Sequence, residues 1–352
     1  MKAITKNNYL THFIGIIFVF MSASDVLSLK GLIFFGAAMS IVAFALCFPI
    51  KDKNLFSESI IFILFMFIAT LVNLFFTKNN FGGSLTLLGS LFLSFIYFHA
   101  NSKKLTLWII ASYLITLLFI SYKLFILKIP ANYIYLGLSR NHAGFSLIFW
   151  TIFLLFHLKV TCNRFPIILP LISLILSYFL FGRTSIIVSA LLLLVVFFYK
   201  FNNTRLKIIA VTAFLICCYY LWLNFGFIVT EETNLGEGLD TPRWKLWRVY
   251  MENIDVVNLF TGIDVTKIQF YNLYGNNPHN SFIKFHSRVG LGSLVFIFLL
   301  FVSIFNYLKE KQYYIFWLLI LLIMRAFFDS DILIGSFDFI FFIVTFYWIK
   351  TD

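Results

Sequence analysis

Charge is what this chain has least of. Aspartate and glutamate together number 15 in 352 residues, against 27 lysines and arginines, and only 12% of residues are charged. A soluble globular surface cannot be built from so few charges, and the 61% hydrophobic share exceeds the roughly half usual for soluble domains. Cysteine is scarce as well. Cys47, Cys162, Cys217 and Cys218 lie within or beside apolar runs with no redox or metal spacing, which makes them small apolar packing residues. No His-x-x-His, Cys-x-x-Cys or Asp-rich motif is present, so no metal site and no cofactor is expected. Also missing are an internal repeat, a low-complexity linker and a small-residue cleavage site after the first apolar run, which therefore reads as a signal anchor.

What is present is apolar sequence in blocks. Runs near twenty residues match the ~30 Å hydrocarbon core of a bilayer. They are continuous, whereas a transmembrane β-barrel needs dyad alternation. The fold class expected is all-α, a polytopic integral membrane protein forming a single domain over residues 1–352 with about twelve spans. The spans are placed near Tyr9–Leu27, Gly31–Ile50, Ser57–Phe76, Ser84–Ala100, Leu105–Leu127, Ala143–Leu158, Phe165–Phe181, Thr184–Tyr199, Ile208–Ile228, Val289–Leu308, Tyr313–Phe328 and Ile332–Ile349. Only Gly182-Arg183 separates the seventh from the eighth, so one long broken helix is the alternative there.

The net charge of +12 fits either an anionic partner, such as nucleic acid or lipid headgroups, or the Lys/Arg excess that orients membrane helices. The second fits the pattern. Lys51 and Lys53, Lys103 and Lys104, Lys159 and Arg164, Lys200 with Arg205 and Lys207, and Lys309 with Lys311 fall in alternate loops. With twelve spans these land on one side, which places both termini in the cytoplasm and a loop of residues 229–280 on the outer side. No nucleic-acid partner is then needed. A second set of cations, among them Arg140, Arg183, Arg243, Arg248, Arg288 and Arg325, falls on the outer side against the orienting rule. An anionic substrate is the simplest reason to keep them there.

Most of the polar chemistry gathers between Glu231 and Gly292. Pro278-His279-Asn280-Ser281 follows a Gly275-Asn276-Asn277 turn and opens an apolar helix, with Asn280 and Ser281 as capping groups. His279 has the side-chain chemistry of a general base at neutral pH, or of a helix-start histidine satisfying loop carbonyls. Arg243 and Trp247 share a helix face, as do Trp244 and Arg248. Guanidinium suits phosphate oxygens and tryptophan stacks on sugars or cations; an interfacial amphipathic helix uses the same residues. Arg183 stands at the junction Phe181-Gly182-Arg183-Thr184-Ser185, where Thr184 and Ser185 can cap the next helix and its amides can join the arginine in holding phosphate. At a lipid–water boundary it can equally snorkel. Ser139-Arg140-Asn141-His142 repeats that device, with His142 read as a loop or cap residue. Arg325, Asp329 and Asp331 make a charge cluster, His286 and Arg288 lie about two turns beyond His279, and His12, His99 and His157 are read as bland helix residues.

Together these residues resemble the O-antigen ligase/polymerase superfamily of bacterial envelope enzymes. The resemblance runs from about Arg140 to Arg325. It rests on Gly182-Arg183-Thr184-Ser185, Arg243, Thr261-Gly262, and Pro278-His279-Asn280-Ser281 followed by Gly290-Leu291-Gly292. It implies a GT-C-like helical membrane fold and metal-independent glycosyl transfer from an undecaprenyl-diphosphate-linked glycan at the periplasmic face of the inner membrane. By position His279 resembles the family's base and Arg183 and Arg243 its diphosphate-holding arginines. Arg140 and Arg288 are further matches, and Asn280, Trp247, Arg248 and Arg325 take supporting roles. A chain-length regulator protein and membrane lipid are the partners implied. A single displacement should invert the anomeric centre, unless Glu231, Glu232, Glu237 or Asp240 supplies a nucleophile. Compact length and a modest loop favour the polymerase over the ligase. A flippase or transporter would show repeated halves and midplane charges.

Overall fold

A computed structural model describes residues 2–29, 36–41, 53–77, 81–100, 102–135, 140–231, 242–330 and most of 333–350. Among them the chain is helical, with turns and no strand. Fifteen helices are numbered here in chain order: α1 Lys2–Val26, α2 Lys53–Thr77, α3 Phe81–His99, α4 Ser102–Ser121, α5 Arg140–Cys162, α6 Ile168–Phe179, α7 Arg183–Lys200, α8 Thr204–Glu231, α9 Pro242–Glu252, α10 Val256–Thr261, α11 Gln269–Asn272, α12 Ser281–Val289, α13 Leu291–Lys309, α14 Tyr313–Phe328 and α15 Asp338–Phe346. Among the described residues five stretches are long and apolar enough to cross a membrane: Tyr9–Val26, Lys103–Ile126, Asn141–Cys162, Arg183–Lys200 and Leu291–Lys309. Shorter apolar helices at Phe62–Phe76, Leu85–Phe98, Ile168–Phe179, Tyr313–Phe328 and Asp338–Ile349 accompany them. The architecture is that of an all-α membrane protein, in which helices satisfy their own backbone groups without water. The span expected over Gly31–Ile50 lies mostly outside the described residues, as do Glu232, Glu237, Asp240, Ser139, Asp331 and Cys47.

The bundle is built around α5 and α15. Phe145, Phe149, Trp150, Phe153 and Phe156 of α5 are wholly buried, and every residue of α15 is buried. Phe339 of α15 stacks on Phe18 of α1 at 5.2 Å between centroids, and Phe337 meets Phe145 edge-on at 5.3 Å. Lipid tails are as apolar as leucine, so association inside a bilayer depends on close packing and interhelical hydrogen bonds. Both occur here. Ser22 Oγ of α1 donates to the Ser112 carbonyl of α4 at 2.7 Å, and Thr151 of α5 and Ser173 of α6 share a 2.6 Å hydrogen bond. His157, read as bland, is bracketed by Tyr97 at 2.8 Å and Thr106 at 3.0 Å.

α6 and α7 pack side by side as a hairpin, turning at Phe181 with φ 52°. One long broken helix through Gly182-Arg183 is therefore ruled out. Gly144 lets α7 approach α5 closely: a Cβ there would lie 2.3 Å from Ser185 Oγ.

Helices α9 to α11 form a small cap with its own core of Leu246, Trp247, Tyr250, Ile263, Val265 and Tyr271, completed by Ile283 of α12. Tyr271 Oη donates to the Leu246 carbonyl at 2.8 Å. The end of α10 is clamped to α12 from the bundle, because Asn73 Nδ2 of α2 donates to the Thr261 carbonyl and, at 3.2 Å, to that of Ser287.

Candidate functional site

The site begins at the start of α12. Asn280 caps it, its Oδ1 accepting from the amides of Phe282 at 2.9 Å and Ile283 at 3.1 Å. The capping expected of Asn280 is present. Ser281 does something else: its Oγ donates to the Asp329 carbonyl at 2.6 Å, joining α12 to the end of α14. Lys284 Nζ adds a 2.6 Å bond to the Ser330 carbonyl. His279, half-buried, sits just before the cap with φ 50°. That left-handed conformation is one histidine adopts more readily than most residues. Its amide donates to Asn277 Oδ1 at 2.9 Å, and the Pro278 carbonyl accepts from Trp247 Nε1 at 3.1 Å. The histidine's backbone is thus fixed from both sides.

α9 supplies that tryptophan. Trp247 is buried against Phe327 of α14, centroids 4.9 Å apart, and Trp244 lies 4.7 Å from Trp247. Arg243 is half-buried one turn before Trp247 on the same face. Arg248 is exposed on a different face.

Arg325 is the most deeply buried cation here, 1% exposed near the end of α14. Its Nη2 donates to Asp329 Oδ2 at 2.9 Å and to the Asn141 carbonyl at 3.0 Å, while its plane lies 5.7 Å from the centre of the Phe145 ring. The expected Arg325–Asp329 pair is therefore present, and it also ties α14 to the first turn of α5. Arg325 Nε is buried without a hydrogen-bond partner among the described residues, as is Ser185 Oγ. Arg140 opens α5 and Arg183, exposed, opens α7. Neither Thr184 nor Ser185 caps α7, contrary to expectation: its N-cap is Gly182, with no side-chain bond, and Ser185 is turned into the Gly144 contact.

The N-termini of α5, α7 and α12 therefore meet around the end of α14. Open first-turn amides carry partial positive charge. Of these, the first-turn amides of α7 are the ones open to an anion, beside the exposed Arg183, because Asn280 already caps the Phe282 and Ile283 amides of α12 and Arg325 is already paired with Asp329.

Two sequence expectations land elsewhere. Arg288 is on the last turn of α12, about 10 Å along the axis from the start of that helix by helix rise. There burial lowers its pKa while the Asp264 carboxylate raises it. His286 does not back His279. Its Nδ1 accepts from Tyr250 Oη at 2.7 Å and its Nε2 donates to the Leu259 carbonyl at 3.1 Å, so it pins the cap to α12. Burial raises the pKa of Tyr250 and keeps its phenol a donor, while burial lowers that of His286. The sign follows from the unfolded value of 6.5 lying above the folded one. The unfolded chain binds the proton more readily, so this contribution is whole above pH 6.5 and is lost as pH falls from there toward the folded value. Thermal transitions of the purified protein from pH 8 to pH 5 should fall more steeply for the parent than for His286→Gln; parallel curves refute the assignment.

Sequence reasoning missed Asp25. It is 3% exposed at the end of α1, with Oδ1 2.8 Å from His142 Nε2 and Oδ2 accepting from Ser146 Oγ at 2.8 Å. The Tyr135 ring meets His142 edge-on at 5.0 Å, and nearby Asp25 adds to burial in raising the Tyr135 pKa. His142 is thus half of a buried hydrogen-bonded pair with Asp25 and not a simple cap. The available signal was a lone carboxylate inside an otherwise apolar span, which by default marks a functional or paired position. Asp25→Ala should destabilise the protein by about 3–5 kcal/mol, as breaking buried pairs does, and Asp25→Asn by less because it still accepts hydrogen bonds. Equal thermal transitions for the two variants in detergent contradict this.

Among the described residues no group of His, Cys, Asp and Glu is placed to hold a metal ion. No protein-family model, curated protein or solved structure matches the chain.

Proposed function

We propose that the protein is a membrane glycosyltransferase that polymerises undecaprenyl-diphosphate-linked oligosaccharide repeat units of O-antigen or capsule. On this reading it has twelve spans with both termini in the cytoplasm, and the α9–α11 cap faces the periplasm. The observation that carries the reading is the gathering of the α5, α7 and α12 N-termini with Arg140, Arg183 and Arg325 at the end where His279 stands. The family resemblance in the sequence supplies the reaction.

In that reaction the sugar–diphosphate bond breaks and negative charge grows on the leaving diphosphate, which preorganised guanidinium groups and helix amides stabilise. On this reading Arg183 and Arg243 hold the diphosphate, and Arg140, which opens α5, is the further residue the resemblance assigns to it. Arg325, held by Asp329 and the Asn141 carbonyl, orders the floor. His279 takes the proton of the acceptor hydroxyl as it attacks the anomeric carbon opposite the leaving group, so the centre inverts. The role proposed for Arg288 moves from diphosphate contact to anchoring the cap.

The test is the glycan ladder of cells carrying His279→Ala or Arg243→Ala, in which unchanged long-chain polymer at normal expression overturns the proposal. The second reading, ligation of finished glycan to lipid A-core, rests on the same residues. It is separated by the null strain: without a polymerase single repeat units are still attached, and without a ligase all glycan stays on the carrier lipid.

A further inference from the structure

Three helices that meet at the candidate site meet again at their far ends. α14 begins about 24 Å from where it ends, by helix rise. Around its start lies a cavity of ≈ 290 Å³, with Lys159 from the end of α5, Tyr199 from the end of α7, Lys311, Gln312 and Tyr314 from the start of α14, and Tyr347 after α15.

Three features of this cavity favour an anion. Both charged residues in its lining are lysines, and no carboxylate lines it. Gln312, the N-cap of α14, makes no side-chain cap bond, so the first-turn amides of that helix open toward it with their partial positive charge. Tyr314 is 2% exposed and its hydroxyl, a donor, is buried without a hydrogen-bond partner among the described residues. Buried polar groups ordinarily have partners, and one left over in a cavity wall points to a group that enters the cavity. The ring of Tyr314 is itself fixed, edge-on to Tyr199 at 5.1 Å and to Phe165 at 4.9 Å. Lys159 Nζ lies over that same Phe165 ring at 5.0 Å. Aromatic packing thus sets the walls, and the lysines supply charge at their rim.

We infer that this cavity binds a phosphate group, carried on the headgroup of an anionic lipid or free in solution. Lysine serves phosphate as a point charge, a helix N-terminus adds amide donors, and the position at the end of membrane-crossing helices is headgroup depth.

The experiment uses the full chain purified in an uncharged detergent and titrated separately with phosphatidylglycerol, phosphatidylcholine and inorganic phosphate. Binding is read by native mass spectrometry and by thermal shift, neither of which depends on any transfer activity. One phosphatidylglycerol retained per chain in preference to phosphatidylcholine, and weakened roughly tenfold by Lys159→Gln with Lys311→Asn, supports the lipid source. A thermal shift with inorganic phosphate alone, lost in the same double variant, supports the free-phosphate source. The charge-matched pair Arg205→Gln with Lys207→Gln, in the first turn of α8 and outside the cavity lining, should leave either binding intact. If the double variant does not fold, Lys311→Asn alone, at an exposed position whose φ of 55° asparagine tolerates, should weaken binding roughly fivefold. Equal losses in the pocket and control pairs, or no preference for either phosphate probe, overturn the inference.

Discussion

Alanine in place of His279 is expected to abolish long-chain glycan while leaving the protein folded and in the membrane. General base catalysis contributes typically 10²–10⁴-fold, so a residual rate of roughly 1% or less is the expected outcome in single-turnover assays with purified carrier-linked substrate. The substitution spares the fold because the turn is held by other groups: Asn280 caps α12, Ser281 bonds to the Asp329 carbonyl, and Trp247 bonds to the Pro278 carbonyl. Alanine at a φ of 50° adds a small strain that His279→Asn avoids, since asparagine adopts that conformation. His279→Asn should therefore match the parent in thermal transition and remain as inactive as His279→Ala. Arg243→Ala should act differently, by weakening diphosphate capture together with turnover. A His279→Asn protein that still builds long polymer removes the base from the mechanism.

Gly290→Ala should be among the most damaging single-methyl changes at the described glycines. Gly290 joins α12 to α13 at φ 48° and ψ −120°, a conformation open essentially to glycine alone. A Cβ there would stand 2.1 Å from the Phe260 carbonyl oxygen and 2.7 Å from the Gly262 amide nitrogen. Those are backbone atoms of the cap, themselves hemmed in, because a Cβ on Gly262 would in turn stand 2.6 Å from the His286 carbonyl oxygen and Asn73 donates to the Thr261 carbonyl beside it. Neither side can yield without undoing the clamp between α2, α10 and α12. The expected cost exceeds roughly 4 kcal/mol, enough to remove most folded protein from membrane extracts. Gly275→Ala is the internal control. Its φ is 61° with nothing within 4 Å of the added carbon, so it carries backbone strain alone, about 1–3 kcal/mol. Size-exclusion profiles of the two variants in detergent, and their thermal transitions where folded, separate the contributions. Equal behaviour refutes the close-approach explanation.

The pairing of Thr261-Gly262 with Gly290 shows why some sequence signals could be read and others could not. Both segments stood out as glycines at the edges of polar sequence, but nothing in their spacing says that they touch. The same holds at the site. Arg140, Arg183 and Arg325 could be singled out because a cation beside an apolar run is costly to keep. Their meeting at one end of the bundle depends on α6 and α7 folding back as a hairpin, on Gly144 admitting Ser185, and on Arg325 reaching the Asn141 carbonyl. Asp25 lay in a stretch legible only as apolar, and its meaning came from His142, 117 positions away. His286 and Arg288 were placed near His279 by chain proximity, yet helix periodicity turned His286 toward Tyr250 and carried Arg288 to the other end of α12.

The sequence by itself determined that the chain is helical and built for a membrane, because continuous apolar runs leave the backbone no other way to satisfy its hydrogen bonds. It also determined which side chains were too polar for their surroundings to be idle. The tertiary structure alone decided which of them meet. Contacts among Asp25, His142, Arg325, Asp329 and Ser281 span four helices distant in the chain, and in lipid such contacts depend on local shape and hydrogen bonding that no hydropathy pattern records.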